Sequence, residues 1–443
     1  MPKMIPVGPY QTRQTAEGLS FPYYIIPFDK DGRCEGPATR EHLLNAAAGK
    51  NFTDIFLFSH GWNNDWETAT KRYSDFIDGY VGQRTTLGLP KKDGYKPLLV
   101  GVFWPSQALA WFDSETGPGF AGAGDPATAA PEVDDGRALA GDIAQSLPAD
   151  QRDAFYDLVQ RPALTQAEGR ELAAMLASVL APDDEGLERG APSADDLLAA
   201  ANQMGAPPDF DTVGGGGAAA AGPDAAGFGD LVAKLDPRNL IKPFTVWQMK
   251  DRAGVVGSRG VSKLLGDLLG KSEARVHLLG HSFGCKVVMS ATAALPAPPR
   301  KVHSALLLQP AISQYAFSSK VPESGLAGGF HGNLQRIDRP VLATFSGNDV
   351  ALSKTFHLAV RRKSDLGEQP AAAGQSPSIY GALGGFGPQE ADAVVVRIKP
   401  AGEAYDFGAG GRLVGVEGTG TITGHGDISK PATWWLAYSI ATG

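Results

Sequence analysis

Residues 275–284 read Arg-Val-His-Leu-Leu-Gly-His-Ser-Phe-Gly, an apolar strand running without a spacer into a turn with glycine two places either side of Ser282. Few segments limit a fold more tightly. Flanking glycines permit a strained backbone and a close approach of strand to helix, so the segment predicts a strand, a sharp turn at Ser282 and a helix beyond it. Cys285, Val287, Val288, Met289 and Ala291 give that helix a buried character. A buried strand feeding a buried helix is the unit of a mostly parallel sheet covered on both faces.

The same unit recurs along the chain. Residues 53–59 (Thr-Asp-Ile-Phe-Leu-Phe-Ser) predict a buried strand, followed after His60, Gly61, Trp62, Asn63, Asn64 and Asp65 by a helix over 66–81 with Tyr73, Phe76, Ile77 and Tyr80 on one face. Strands are predicted at 97–104, 304–308, 339–346 and 393–398, and helices at 255–269, 285–295 and 432–440. Residues 21–28, aromatic and β-branched with two prolines, suit an edge strand leading into a hairpin turn at 29–32. Between 113 and 241 the composition shifts to Ala, Gly, Pro and Asp, with helical apolar spacing at 154–159, 172–180 and 196–201. We therefore expect an α/β core formed by residues 1–112 and 242–443, interrupted by an inserted helical cap at 113–241 with flexible connections.

Bulk properties exclude several classes. A net charge of -8 with no long Lys/Arg run argues against a nucleic-acid partner. No stretch of 18 or more apolar residues predicts a membrane span, and the first residues lack the apolar core of a secretory leader. Two cysteines, Cys34 and Cys285, make neither a disulfide framework nor a Cys-rich metal site. The expected compartment is the cytoplasm by default, because a secreted chain already stripped of its leader has the same composition.

In parallel sheets, functional residues collect at the carboxyl ends of the strands. Ser282, Asp349 and His425 each follow such an end, in the order serine, acid, histidine. A serine hydroxyl needs an adjacent base, histidine exchanges protons near neutral pH, and a carboxylate fixes the imidazole tautomer. Eight histidines compete for the base. His42, His60 and His277 precede the serine, His281 adjoins it, and His303 sits at the amino end of its strand. His331 comes before Asp349 and His357 falls in a predicted helix, whereas His425 lies in a glycine-flanked loop after the last predicted strand. Asp427 is expected to cap the next helix instead of orienting His425. An oxyanion hole would take one N–H from Phe283 and one from Trp62, the residue after Gly61. Trp104, Trp111 and Phe112 are candidates to line an apolar substrate site, packing between cap and core being the alternative. No metal is expected, since histidines and carboxylates do not cluster at ligand spacing, and no cofactor motif is present.

Three segments taken in order, Ser59-His60-Gly61-Trp62-Asn63-Asn64-Asp65, Phe103-Trp104-Pro105-Ser106 and residues 276–284, resemble the serine α/β-hydrolase superfamily. More narrowly they resemble a bacterial branch of esterase-like proteins with a His-Gly-[Trp/Tyr]-Asn-Asn loop and a Trp-Pro-Ser strand end. The resemblance covers residues 50–112 and 245–440, and the insertion and N-terminal hairpin depart from the minimal pattern. It implies the α/β-hydrolase fold, an eight-stranded-type core and a Ser-His-Asp triad acting on a small-molecule carboxylic ester. Amidase, peptidase, thioesterase or acyltransferase chemistry on the same triad, or a non-catalytic interaction protein using the insertion, are the alternatives the sequence leaves open.

Overall fold

The computed structural model describes residues 5–14, 18–49, 52–89, 94–106, 133–182, 190–205, 235–322, 324–356, 380–407 and 411–442. Nine strands among them form one sheet: β1 Gln11–Gln14, β2 Ser20–Pro27, β3 Asp54–Ser59, β4 Pro97–Phe103, β5 Arg275–His281, β6 Ser304–Leu308, β7 Val341–Phe345, β8 Val394–Arg397 and β9 Leu413–Glu417. Their order is β1-β2-β4-β3-β5-β6-β7-β9-β8, and every neighbouring pair is parallel except β1 with β2. The protein is thus an α/β structure with a mostly parallel sheet, as the strand-helix alternation implied.

Side chains alternate between two apolar layers, because successive residues of a strand point to opposite faces. Ile55, Leu57, Val276, Leu278, Ala305 and Leu307 face one layer, with helices α1 Pro37–Ala48, α7 Pro237–Val255, α8 Ser262–Lys271 and α9 Phe283–Ala293. Phe56, Phe58, Leu279, Leu306 and Leu308 face the other, covered by α2 Trp66–Thr86 and α10 Pro431–Thr442. All six residues of β3 are buried, which is why its sequence is a nearly unbroken apolar run. Fully burying one such Leu or Phe side chain stabilises the fold by about 1.5–3 kcal/mol.

Within residues 113–241, helices α3 Val133–Ser146, α4 Arg152–Val159, α5 Gln166–Ala177 and α6 Ala194–Gly205 are described. Successive helices from α3 to α6 pack on one another, and α4, α5 and α6 pack on α7, burying Phe155, Leu158, Leu172, Leu176 and Leu197 in the same cluster as the core. Arg252 of α7 ties α3 to the end of β4, donating to Asp142 Oδ2 at 2.5 Å and to Pro105 O at 3.0 Å.

Four expectations need correction. The edge strand at 21–28 is covered by β1, whose polar Gln-Thr-Arg-Gln sequence carries no apolar signal, so β2 is an inner strand. A whole strand, β9, lies between the last predicted strand at 393–398 and the helix at 432–440, where none was expected; Gly415 interrupts its apolar run, yet β7 and β8 pair with it on both sides. The helix expected at 255–269 is instead the end of a continuous helical run that starts at Pro237, behind the N-cap Asp236, and passes through a π-helical turn at Val256–Val261. The boundary drawn at 241 therefore falls inside α7. Gly257 and Gly260, in the π-helical turn, look like interruptions but sit where backbone from α9 and from the 29–32 turn presses close.

Candidate active site

Ser282 follows the last residue of β5 and precedes the first of α9, with φ 55° and ψ -125°. A non-glycine residue in that region carries a cost of about 1–3 kcal/mol, which the surroundings must hold in place. They do so through three backbone bonds: Ser282 N–H donates to Leu308 O at 3.1 Å, while Ser282 O accepts from Cys285 N at 3.1 Å and Ala311 N at 3.2 Å. The flanking glycines are required sterically. A Cβ at Gly284 would fall 2.1 Å from Ser59 O, and one at Gly61 would fall 2.8 Å from Ser282 Cβ. The end of β3 is therefore pressed directly against the serine.

The structure brings the three sequence-predicted residues together. Ser282 Oγ is 2.8 Å from His425 Nε2, and His425 Nδ1 is 2.8 Å from Asp349 Oδ2. With Asp349 ionised, the ring is read as carrying its proton on Nδ1, leaving Nε2 to accept from the serine. Ser282 and Asp349 are 0% exposed and His425 is 8% exposed, so the imidazole is the member nearest solvent. Asp349 Oδ1 accepts from Leu352 N at 3.0 Å, which satisfies the second carboxylate oxygen. The acid and histidine loops are stitched to each other: Ser346 Oγ donates to Ile422 O at 2.8 Å, Gly347 N to Thr419 Oγ1 at 3.0 Å and Asn348 Nδ2 to Thr419 O at 2.8 Å. Asp427 closes the histidine loop by accepting from Thr423 N and Oγ1, each at 2.9 Å, and pairs with Lys430.

The 60–64 loop is built from both sides. Asn64 Nδ2 donates to Gly61 O at 2.9 Å and Trp62 O at 2.7 Å, and Asn63, with φ 54°, donates its N–H to Ser106 O at 2.7 Å. Tyr73 Oη accepts from His60 N at 2.9 Å and donates to Val102 O at 2.5 Å. Asp65 caps α2 by accepting from Thr68 N at 2.6 Å. Trp62 lies beside Phe283, their ring centroids 6.0 Å apart in an edge-to-face arrangement. Trp104 is fully buried, stacked on His60 at 5.5 Å, and its Nε1 donates to His60 O at 3.1 Å. It packs against the 60–64 loop through His60. Trp111 and Phe112 lie outside the described residues. Cys285 is buried with its Sγ 3.7 Å from Leu308 O, and burial pushes its thiol well above the ordinary range.

Two neighbours hold the His425 backbone: Gln309, which the sequence reading did not single out, and His281, which it weighed only as a base. Gln309, at the end of β6, donates from Nε2 to Gly424 O at 2.7 Å and His425 O at 2.9 Å. His281 Nε2 donates to the same His425 O at 2.8 Å. The signal for Gln309 was present, since it is a polar residue closing an apolar strand at the end of the sheet where Ser282 and Asp349 also sit.

A second Ser-His-Asp cluster occupies the opposite, amino end of the strands. His277 Nδ1 is 2.7 Å from Ser304 Oγ and its Nε2 is 2.9 Å from Asp54 Oδ1, with Arg275 2.6 Å from the same oxygen. Phe56 stacks on the ring at 4.6 Å. All three members are at most 1% exposed. Burial pushes the Asp54 carboxyl up, but hydrogen bonds from His277 and Thr53 and the Arg275 charge outweigh it and hold it below its usual range. Burial outweighs the Asp54 contact at His277 and keeps that ring below its ordinary value.

Burial likewise lowers His60 to about 4 and holds His281 well below its ordinary value. These histidines make the fold acid-sensitive. Above the unfolded value near 6.5 both states are neutral; below it the unfolded chain binds protons that the native state refuses, so stability falls with pH. Each of His60, His277 and His281 adds a slope approaching about 1.4 kcal/mol per pH unit until its own folded value is reached. Calorimetry should find a melting temperature level above pH 7.5 and falling steadily from about pH 6.5 towards pH 4.5. A level melting temperature over that interval would contradict neutral buried histidines.

Among the described residues, no group of three or more His, Cys, Asp or Glu side chains is placed to hold a metal ion, and no helix is long and apolar enough to cross a membrane. Comparison with protein-family models, with curated proteins and with solved structures found nothing that matches this chain.

Proposed function

We propose that this chain is a serine hydrolase of the α/β-hydrolase type that cleaves carboxylic esters. The observation that carries the reading is the unbroken hydrogen-bond chain from Ser282 through His425 to Asp349, both links 2.8 Å, starting at a serine with φ 55°. The parallel strand order and the placement of all three residues at strand carboxyl ends support it. In the reaction, Ser282 Oγ attacks the ester carbonyl while His425 Nε2 takes its proton. The developing imidazolium is stabilised by Asp349, and the tetrahedral oxyanion by the N–H groups of Phe283 and Trp62. His425 then returns the proton to the leaving alkoxide, giving an acyl-Ser282 ester and the alcohol. Water, deprotonated by the same histidine, releases the acid and restores Ser282.

The test is hydrolysis of p-nitrophenyl esters from acetate to palmitate, together with a fluorophosphonate probe that labels only an activated serine. Hydrolysis is expected, with the adduct on the peptide carrying Ser282 and none on that carrying Ser304, whose hydroxyl sits in a regular strand. A chain that neither hydrolyses any member of the series nor takes the label is not this enzyme.

A further inference from the structure

Gln309 is fully buried at the carboxyl end of β6 and has φ 44°, a conformation that a non-glycine residue holds only against strain. Its N–H donates to Thr344 Oγ1 at 2.9 Å, fixing the backbone. Its side-chain Nε2 is 2.7 Å from Gly424 O, 2.9 Å from His425 O and 3.5 Å from Asp349 Oδ2. All three neighbours accept and none donates, so the amide is oriented with its nitrogen towards them. Oε1 has no partner among the described residues, a cost of about 1–3 kcal/mol for a buried acceptor. A residue kept for packing alone would be better apolar. Gly424 and Gly426 flank His425 and leave its backbone free to turn, so the loop needs fixed donors to seat it. His281 supplies one from the end of β5. Gln309 supplies the other from the end of β6 and lies against the carboxylate too.

We propose that Gln309 is the positioning residue of this site: its amide holds the His425 backbone and the Asp349 carboxylate in one grip, keeping the imidazole at hydrogen-bond distance from Ser282. This rests on the serine-hydrolase reading above. Asp349, His425 and His281 are the titratable groups that face the amide. A neutral donor adds to the carboxylate environment without a proton that His425 could take or give.

Two variants separate positioning from packing. Gln309→Met keeps the shape and removes the donors. Gln309→Glu donates only when its new carboxyl is protonated, and that carboxyl, facing two carbonyl oxygens and a carboxylate, titrates above its usual range. Fluorophosphonate labelling rate at Ser282, and kcat and KM on the best p-nitrophenyl ester, are measured from about pH 5 to 9, so that the introduced carboxyl passes from protonated to ionised. The Met variant is expected to lose about 10- to 100-fold in kcat and labelling rate with KM unchanged, the scale of a small misplacement. The ratio of Glu variant to wild type should fall as pH rises and the donor is lost. A Met variant labelled as fast as wild type, or a ratio constant with pH, overturns the role of Gln309. Should the Met variant not fold by near-ultraviolet circular dichroism, the pH course of the Glu ratio decides alone. A wild type that takes no label overturns the hydrolase reading itself, and the positioning role with it.

Discussion

Ser282→Ala should lower ester kcat by about 10⁴-fold or more while leaving KM within a small factor of wild type. The substitution removes one oxygen and keeps the Cβ that Gly61 packs against, so the elbow and its three backbone bonds remain. What is lost is the attacking atom. The residual rate comes from substrate binding and the oxyanion N–H groups alone. Melting temperature should change little, because among the described residues Ser282 Oγ has one hydrogen bond and its partner, His425, is the member of the three nearest solvent. Steady-state kinetics on the best p-nitrophenyl ester, with melting measured on the same preparation, checks both halves. A variant that keeps wild-type kcat would move the chemistry away from Ser282 altogether.

Asp349→Asn should be nearly as damaging, about 10⁴-fold in kcat, and for a different reason. Asp349 Oδ1 accepts from Leu352 N and Oδ2 accepts from His425 Nδ1. The introduced amide keeps one acceptor, which Leu352 holds, and turns its NH₂ towards the ring. Nδ1 must then accept, the proton moves to Nε2, and the histidine presents a donor to Ser282 where a base is required. Binding and folding survive, so the loss appears in kcat and in the rate of fluorophosphonate labelling. Labelling at the wild-type rate would show that Asp349 does not set the tautomer, and Asp427 would become the acid to test.

Much of this site was legible because inner strands of a parallel sheet are continuous apolar runs whose ends are easy to see. Residues 53–59, 275–281 and 339–346 each marked one, and His60, Ser282 and Asp349 stood just beyond them. The parts that escaped were those whose identity depends on a partner distant in sequence. β1 is polar on both faces and becomes a strand only by pairing with β2. β9 contains Gly415 and is held by neighbours on both sides. The start of α7 was hidden in an Ala- and Gly-rich stretch, although Asp236-Pro237 is a sound start signal. Gln309 was not singled out, because its three acceptors come from loops 40 and 115–116 positions away. Trp104 was visible as an aromatic at a strand end, but only the stacked His60 ring reveals that it faces inward.

Asp54, His277 and Ser304 carry a lesson for anyone building such a site into a new scaffold. Their side chains match the Ser282 cluster in type and in hydrogen-bond length, at 2.7 and 2.9 Å, with the two ring nitrogens exchanging roles. A designer who transplants three side chains and two distances reproduces this cluster, a buried strut with Arg275 on its acid and its serine held in a regular strand. The portable part is the main chain: the 280–285 turn that thrusts the serine out of the strand direction, and the 59–64 loop pressed against it. Graft those first, and the acid and base have something to serve.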